Sequence, residues 1–178
     1  MSSIIDYFNA NKLNYTATSS TPNGASVGPY NAFDKNGKFF CSTVSSPYWQ
    51  VTFEQPVVIE SYIIGALTSN SWWSTNWQIY YSLDGKSFSF LQDDSMSDLR
   101  GNTKKFPLSK IITICRSFKI VGIRASDGTD DILFNSFDCF GYVDSIKAKR
   151  KCTCNCAYYK SRLITNALLA LYSSFLTT

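Results

Sequence analysis

The sequence predicts an all-β domain followed by a basic C-terminal segment, and three observations carry that reading. Apolar and polar residues alternate with a period of two in several short runs, the pattern of half-buried strands. Gly, Pro, Asn and Asp cluster between those runs, where the chain must turn. No stretch between residues 30 and 143 sustains a helical period. Many short strands separated by turn residues point to an antiparallel sandwich or barrel.

Taken in order, the N-terminal "MSSIIDYFNANKL" has neither the basic start nor the long apolar run of a secretory signal. The polar connection "SSTPNGASVGPY" follows. "YWQVTF" then puts Trp49, Val51 and Phe53 on one face and Gln50 and Thr52 on the other. "PVVIESYIIGA" is a β-branched run bounded by Pro56 and Gly65, and "ALTSNSWWSTN" is the second long connection. "WQIYYS" alternates through Trp77, Ile79 and Tyr81. "SLDGKSFSFLQ" reads as a hairpin, with Asp84-Gly85 supplying the positive-φ turn and Phe88 and Phe90 sharing the returning face. After the third connection, "DDSMSDLRGNT", the runs "RSFKIVGIRA" and "FNSFDCFGYV" complete the set. Trp49 and Trp77, on alternating strands, belong to the core. Long connections in an all-β domain carry function more often than ornament.

At 178 residues, with 44% hydrophobic and 16% aromatic content, the chain holds one globular domain and an extension. The net charge of +4 is unevenly spread. No acidic residue follows Asp144, whereas Lys147, Lys149, Arg150, Lys151, Lys160 and Arg162 do. A basic tail on a near-neutral body is a local partner signal, so no nucleic-acid partner is expected. Cys41, Cys115 and Cys139 are scattered through the body, and Cys152, Cys154 and Cys156 crowd the tail. Without a secretory signal the expectation is a cytoplasmic protein with free thiols. An enzyme is not expected. Histidine is absent, no Gly-rich phosphate loop is present, and Asp93-Asp94 and Asp130-Asp131 read as solvated turns.

The order of the pieces carries a resemblance. "NAFDKNGKFFCS", "SPYWQVTFEQPVVIESYIIGA", "NWQIYYSLDGKSFSFL", "LRGNTKKF", "CRSFKIVGIRA" and "FDCFGYV" succeed one another over roughly residues 15–143. Together they resemble the F5/8 type C, or discoidin, domain. The resemblance implies a galactose-binding-like antiparallel jelly-roll sandwich. It implies a non-catalytic module that recognises carbohydrate or anionic phospholipid through its apical loops. The alternative it leaves is an intracellular scaffolding module that docks a protein partner. The chain departs from the family pattern at Lys35, where glycine is usual, and at Phe39 and Cys41, where a Thr-x-Trp pair is usual. The terminal cysteine pair of many secreted members lacks its N-terminal half, which leaves Cys139 unpaired.

Trp72 and Trp73 are adjacent, between the turn-forming "TSNS" and "STN", and so are expected on display at a loop tip, the alternative being that one of them folds back as a lid on the core. With Asn23, Tyr30, Arg100 and Asn102 they form the expected ligand site, rings covering the apolar face of a sugar while donors reach its hydroxyls. The family's galactose binders often add a histidine, which this chain lacks. No cofactor is required. The turn "AFDKN" would hold a structural calcium through Asp34, Asn36, backbone carbonyls and Asp138, or would be a metal-free Asx turn, the reading preferred here.

The domain boundary is set at 1–144 and 145–178. In the second segment the bases would meet anionic headgroups, the cysteines would take palmitate, and Leu163–Leu176 would form a short helix. That run is shorter than the roughly 20 apolar residues a bilayer span needs. A C-x-C-x-C metal site, for which no fourth ligand is evident, and a disordered or docked tail are the alternatives.

Overall fold

Ser3 caps a helix for which the alternation pattern made no provision. Its hydroxyl accepts the Asp6 N–H at 2.9 Å, and helix α1 runs from Ile4 to Ala10. Two turns are too short to be stable alone. The burial of Ile4, Ile5 and Phe8 holds the helix, with the Phe8 ring 5.1 Å from that of Phe53. A computed structural model describes residues 2–22, 27–33, 40–42, 46–67, 69 and 73–144. The chain divides into two compact units, Met1–Asp144 and Ser145–Thr178, and all described residues belong to the first. The basic tail, with its cysteines and apolar run, lies outside the described residues. Among those described, no helix is long and apolar enough to cross a membrane.

The strands are β1 (Ser2–Ser3), β2 (Tyr15–Ser19), β3 (Phe40–Ser42), β4 (Tyr48–Gly65), β5 (Ser74–Ser82), β6 (Ser89–Ser95), β7 (Thr103–Ala125), β8 (Ile132–Phe134) and β9 (Ser136–Val143). One sheet has the order β1-β9-β4-β7-β5-β6, with β2 added on β4, and β3 pairs with β8. All of these strand pairs are antiparallel. The two runs read separately in the sequence, "YWQVTF" and "PVVIESYIIGA", form a single strand. β4 pairs with β7 from end to end, from Tyr48 opposite Val121 to Gly65 opposite Thr103.

Register shifts between Thr52 and Ser61 let this long ribbon bend into two layers. Pro56 sits in the first shift, where a missing N–H is tolerated. β2 then takes the free edge of β4 at Trp49–Phe53, and β9 takes it from Val57 to Gly65. The layers meet through aromatic rings. Tyr62 packs on Phe118 at 5.4 Å, Trp77 on Phe106 at 5.2 Å and Trp49 on Phe137 at 4.5 Å. The result is the antiparallel sandwich that the resemblance implies, with Trp49, Val51, Phe53, Trp77 and Ile79 in its core.

The β5–β6 hairpin is built as the sequence reads. Gly85 has φ +76°, and the Asp84 carboxylate accepts the Lys86 and Ser87 N–H groups and the Ser82 hydroxyl, each at 2.8 Å. Those three donors lower the Asp84 carboxyl to about 2. Asp93 and Asp94 are not turn residues, however. They lie in β6, where Asp94 is tied to the buried Tyr62, and the polar connection is reduced to residues 96–102.

Backbone hydrogen bonds gather the connections at one end of the sandwich. Gly101 N–H donates to Ala66 O at 2.8 Å, Ser126 N–H to Trp73 O at 2.9 Å, Asn135 N–H to Gly65 O at 2.6 Å and Gly122 N–H to Pro47 O at 2.9 Å. The segments flanking β4 and those following β6 and β7 are thereby fixed to one another.

Candidate functional site

Trp73 stands at the entry to β5. Its backbone N–H donates to Ser126 Oγ at 3.1 Å and its indole N–H to Ser97 O at 3.3 Å. These bonds clamp the ring between two neighbouring loops, half-buried, with one side packed on the core. In front of it lies an open cleft of about 680 Å³.

The strand register assembles the cleft's walls. Asn76 of β5 stands opposite Ser95 of β6 on one side and Arg124 of β7 on the other. Thr75 Oγ donates to the Arg124 carbonyl at 3.0 Å and holds that end of β7 in place. Beyond it, the turn through Asp127 and Gly128 closes with Ala125 N–H donating to Thr129 O at 2.7 Å. Gly128 provides the required φ of +89°. Asp127 Oδ1 accepts both the N–H and the hydroxyl of Thr129, at 3.1 and 2.7 Å. The Arg124 guanidinium is exposed on the cleft wall, and among the described residues it has no hydrogen-bond or ion-pair partner. Partial burial, followed by the charges of Asp127 and Asp130, raises the nearby Asp131 carboxyl.

The cleft thus combines one fixed aromatic surface with forked donors at Arg124, an amide at Asn76 and a carboxylate acceptor at Asp127. Such a set can cover an apolar ring face and hydrogen-bond its polar rim.

Among the described residues that the sequence pointed to, only Trp73 lines this cleft. Arg100 and Asn102 are exposed on the 96–102 connection at the same end. Asn102 Nδ2 donates to Arg100 O at 3.1 Å around Gly101, whose φ is +68°. Tyr30 lies on the 3-10 turn Pro29–Phe33, 51% exposed, its ring 6.5 Å from that of Phe33. Asn23, Trp72, Asp34 and Asn36 lie outside the described residues. Asp138 is buried, and its Oδ1 accepts the Ser3 hydroxyl at 2.9 Å and the Cys139 N–H at 2.7 Å. Among the described residues no three His, Cys, Asp or Glu side chains come together as a metal site.

The sequence reading passed over Asn76, Arg124 and Asp127. The signal that marks Arg124 and Asp127 is a strand-end cation one residue before a Ser-Asp-Gly turn, "RASDG"; nothing local marks Asn76. Cys115 and Cys139 are buried free thiols, and burial pushes Cys115 up to about 12, which leaves it unreactive.

A profile of the F5/8 type C domain matches residues 14–133. No curated protein sequence matches the chain. Among solved structures, the chain is similar to the CBM32 of AlyQ in complex with 4,5-unsaturated mannuronic acid, at 17% identity and a TM-score of 0.60, over 70% of this chain and 93% of that one. It is similar to CpGH89CBM32-5 from Clostridium perfringens in complex with GalNAc-β-1,3-galactose, at 16% identity and a TM-score of 0.60, over 74% and 96%. It is also similar to the family 32 CBM of NanJ from C. perfringens in complex with galactose, at 15% identity and a TM-score of 0.58, over 72% and 93%. At identities this low, what is shared is the fold.

Proposed function

The chain belongs to the F5/8 type C domain family, and we propose that it is a non-catalytic module that binds carbohydrate in the loop-end cleft beside Trp73. Domains of this family are typically binding modules without catalysis of their own. The observation that carries the reading is the composition of the cleft, an anchored indole with Arg124, Asn76 and Asp127 around it. A pyranose offers one apolar face and a rim of hydroxyls, and these residues match both. That three similarly folded modules hold sugars supports the ligand class. Tyr30, Arg100 and Asn102 lie outside the cleft wall. They would extend the site only for a larger ligand.

The test is a calorimetric titration of the full chain with galactose, N-acetylgalactosamine and mannuronate, beside phosphatidylserine vesicles. Saturable binding to one sugar, weakened about tenfold in Arg124→Ala, is the expected result. Binding to vesicles alone would transfer the cleft to the lipid reading. Silence toward all of them would favour a protein partner and end the carbohydrate reading. This function requires no cofactor. A calcium held by Asp34, Asn36 and Asp138 would be structural, so EDTA is expected to leave sugar affinity unchanged.

A further inference from the structure

A continuous outer surface leads away from the cleft along β5. Asn76, Gln78 and Tyr80 alternate with the buried Trp77 and Ile79 and so share the face turned away from the core. Asn76 lines the cleft. Gln78 comes next, its Oε1 accepting the Tyr80 hydroxyl at 2.9 Å and its Nε2 donating to Asp93 at 3.0 Å. At the far end Phe90 of β6 stands opposite Tyr80, the two rings 5.6 Å apart and edge to face. Phe90 is 51% exposed. From Asn76 to Tyr80 the strand covers about 13 Å, more than one sugar ring spans.

The neighbouring aromatic residues on this face are already occupied. Lys119 stands opposite Tyr80 on β7, and its ammonium lies 4.3 Å from the centre of the Tyr48 ring and 5.0 Å from that of Phe88. Among the described residues Phe90 makes no such contact. A single exposed aromatic is ordinary on a protein surface. This one packs on Tyr80, which opens the hydrogen-bonded row Tyr80–Gln78–Asp93, and Asn76 on the cleft wall stands two residues before Gln78 on the same face. The mixture argues against a second copy of the chain as the occupant, because the centres of protein interfaces are depleted in charge and Asp93, Lys119 and Arg124 lie along this strip. It suits a chain of sugar rings, which needs stacking surfaces and hydroxyl partners in alternation.

We infer that the ligand is an oligosaccharide, with one unit in the cleft and the following units running down the β5 face to stack on Phe90. The inference rests on the carbohydrate reading of the cleft. The experiment is calorimetry on the full chain with two series of probes, galactose with its β-linked oligomers up to four units and mannuronate with its oligomers up to four. In whichever series binds, affinity should rise at least about fivefold from monomer to tetramer. Phe90→Ala should remove that rise while leaving monomer affinity unchanged, and Phe90→Tyr should keep it.

Equal affinity at every length, or a rise that survives Phe90→Ala, would overturn the inference and leave the cleft reading standing. No binding at any length would overturn the cleft reading, and this one with it. Self-association by sedimentation that disappears in Phe90→Ala, with length-independent sugar binding, would assign the face to a second copy.

Discussion

The indole N–H of Trp77 donates to the hydroxyl of Tyr62 at 2.7 Å, and that hydroxyl donates in turn to the Asp94 carboxylate at 2.6 Å. Gln92 Nε2 donates to the same carboxylate oxygen at 2.6 Å, while Gln92 Oε1 accepts the Ser109 N–H at 2.6 Å. The row joins a fully buried tryptophan to the edge strand β6 and to the first half of β7. It closes the side of the sandwich where the two layers share no strand pairing.

Replacing Tyr62 by Phe removes the central hydroxyl and leaves the Trp77 N–H buried without an acceptor. The expected cost is about 1–3 kcal/mol of unfolding free energy, read from urea denaturation. A change of only a few tenths would mean that the row has no part in holding β6.

The same hydroxyl makes stability depend on alkaline pH. Burial first, and then the hydrogen bond and charge of Asp94, raise Tyr62 far above its ordinary value of 10.0. The unfolded chain therefore gives up this proton before the folded one does. The contribution is complete below pH 10.0 and is lost as pH rises above it, by up to about 1.4 kcal/mol per pH unit. Tyr15 is also raised, but it contributes equally to wild type and to Tyr62→Phe. Denaturation curves from pH 9 to 11 should fall more steeply for wild type, and parallel curves would sink the assignment.

Gly141 of β9 lies against β4 so closely that an added Cβ would meet the Val58 carbonyl oxygen. Backbone cannot yield there without breaking the β4–β9 ladder. Gly141→Ala is expected to cost about 1–3 kcal/mol or more, with Gly128→Ala as the contrast. At Gly128 the added atom finds open space and only the φ of +89° is penalised.

Trp73 and Arg124 should separate packing from binding. Trp73 is packed on the core, so Trp73→Ala should lower both stability, by about 1–3 kcal/mol, and sugar affinity. Arg124 is exposed, so Arg124→Ala should leave the melting curve within about 0.5 kcal/mol of wild type and weaken sugar binding about tenfold. Unchanged affinity in Arg124→Ala, on a folded protein, would move the ligand away from this wall.

The alternation in "YWQVTF" and "WQIYYS" is local information, because one turned-in residue in every two is enough to mark a core face. It placed Trp49 and Trp77 correctly. The Asp84-Gly85 turn was equally legible, since its chemistry is complete within a few residues. Helix α1 was missed because its stripe of Ile4, Ile5 and Phe8 is too short for a period to register, and it exists only by packing on Phe53. Asp94 was misread as a solvated turn because its partner Tyr62 is 32 residues away.

By itself, then, the sequence determined β4, β5, β6, β9 and the second half of β7, the hairpin turn, the core tryptophans and the family to which the chain belongs, all of which depend on neighbours along the chain or on the order of segments. Only the tertiary structure decided that the wall of the cleft is Asn76, Arg124 and Asp127 rather than Tyr30, Arg100 and Asn102. The pairing of β5 with β7 puts Asn76 beside Arg124 although they are far apart in sequence. That register is set by the bend of the β4–β7 ribbon and the rings packed inside it, a balance of burial over the whole domain that no short segment encodes.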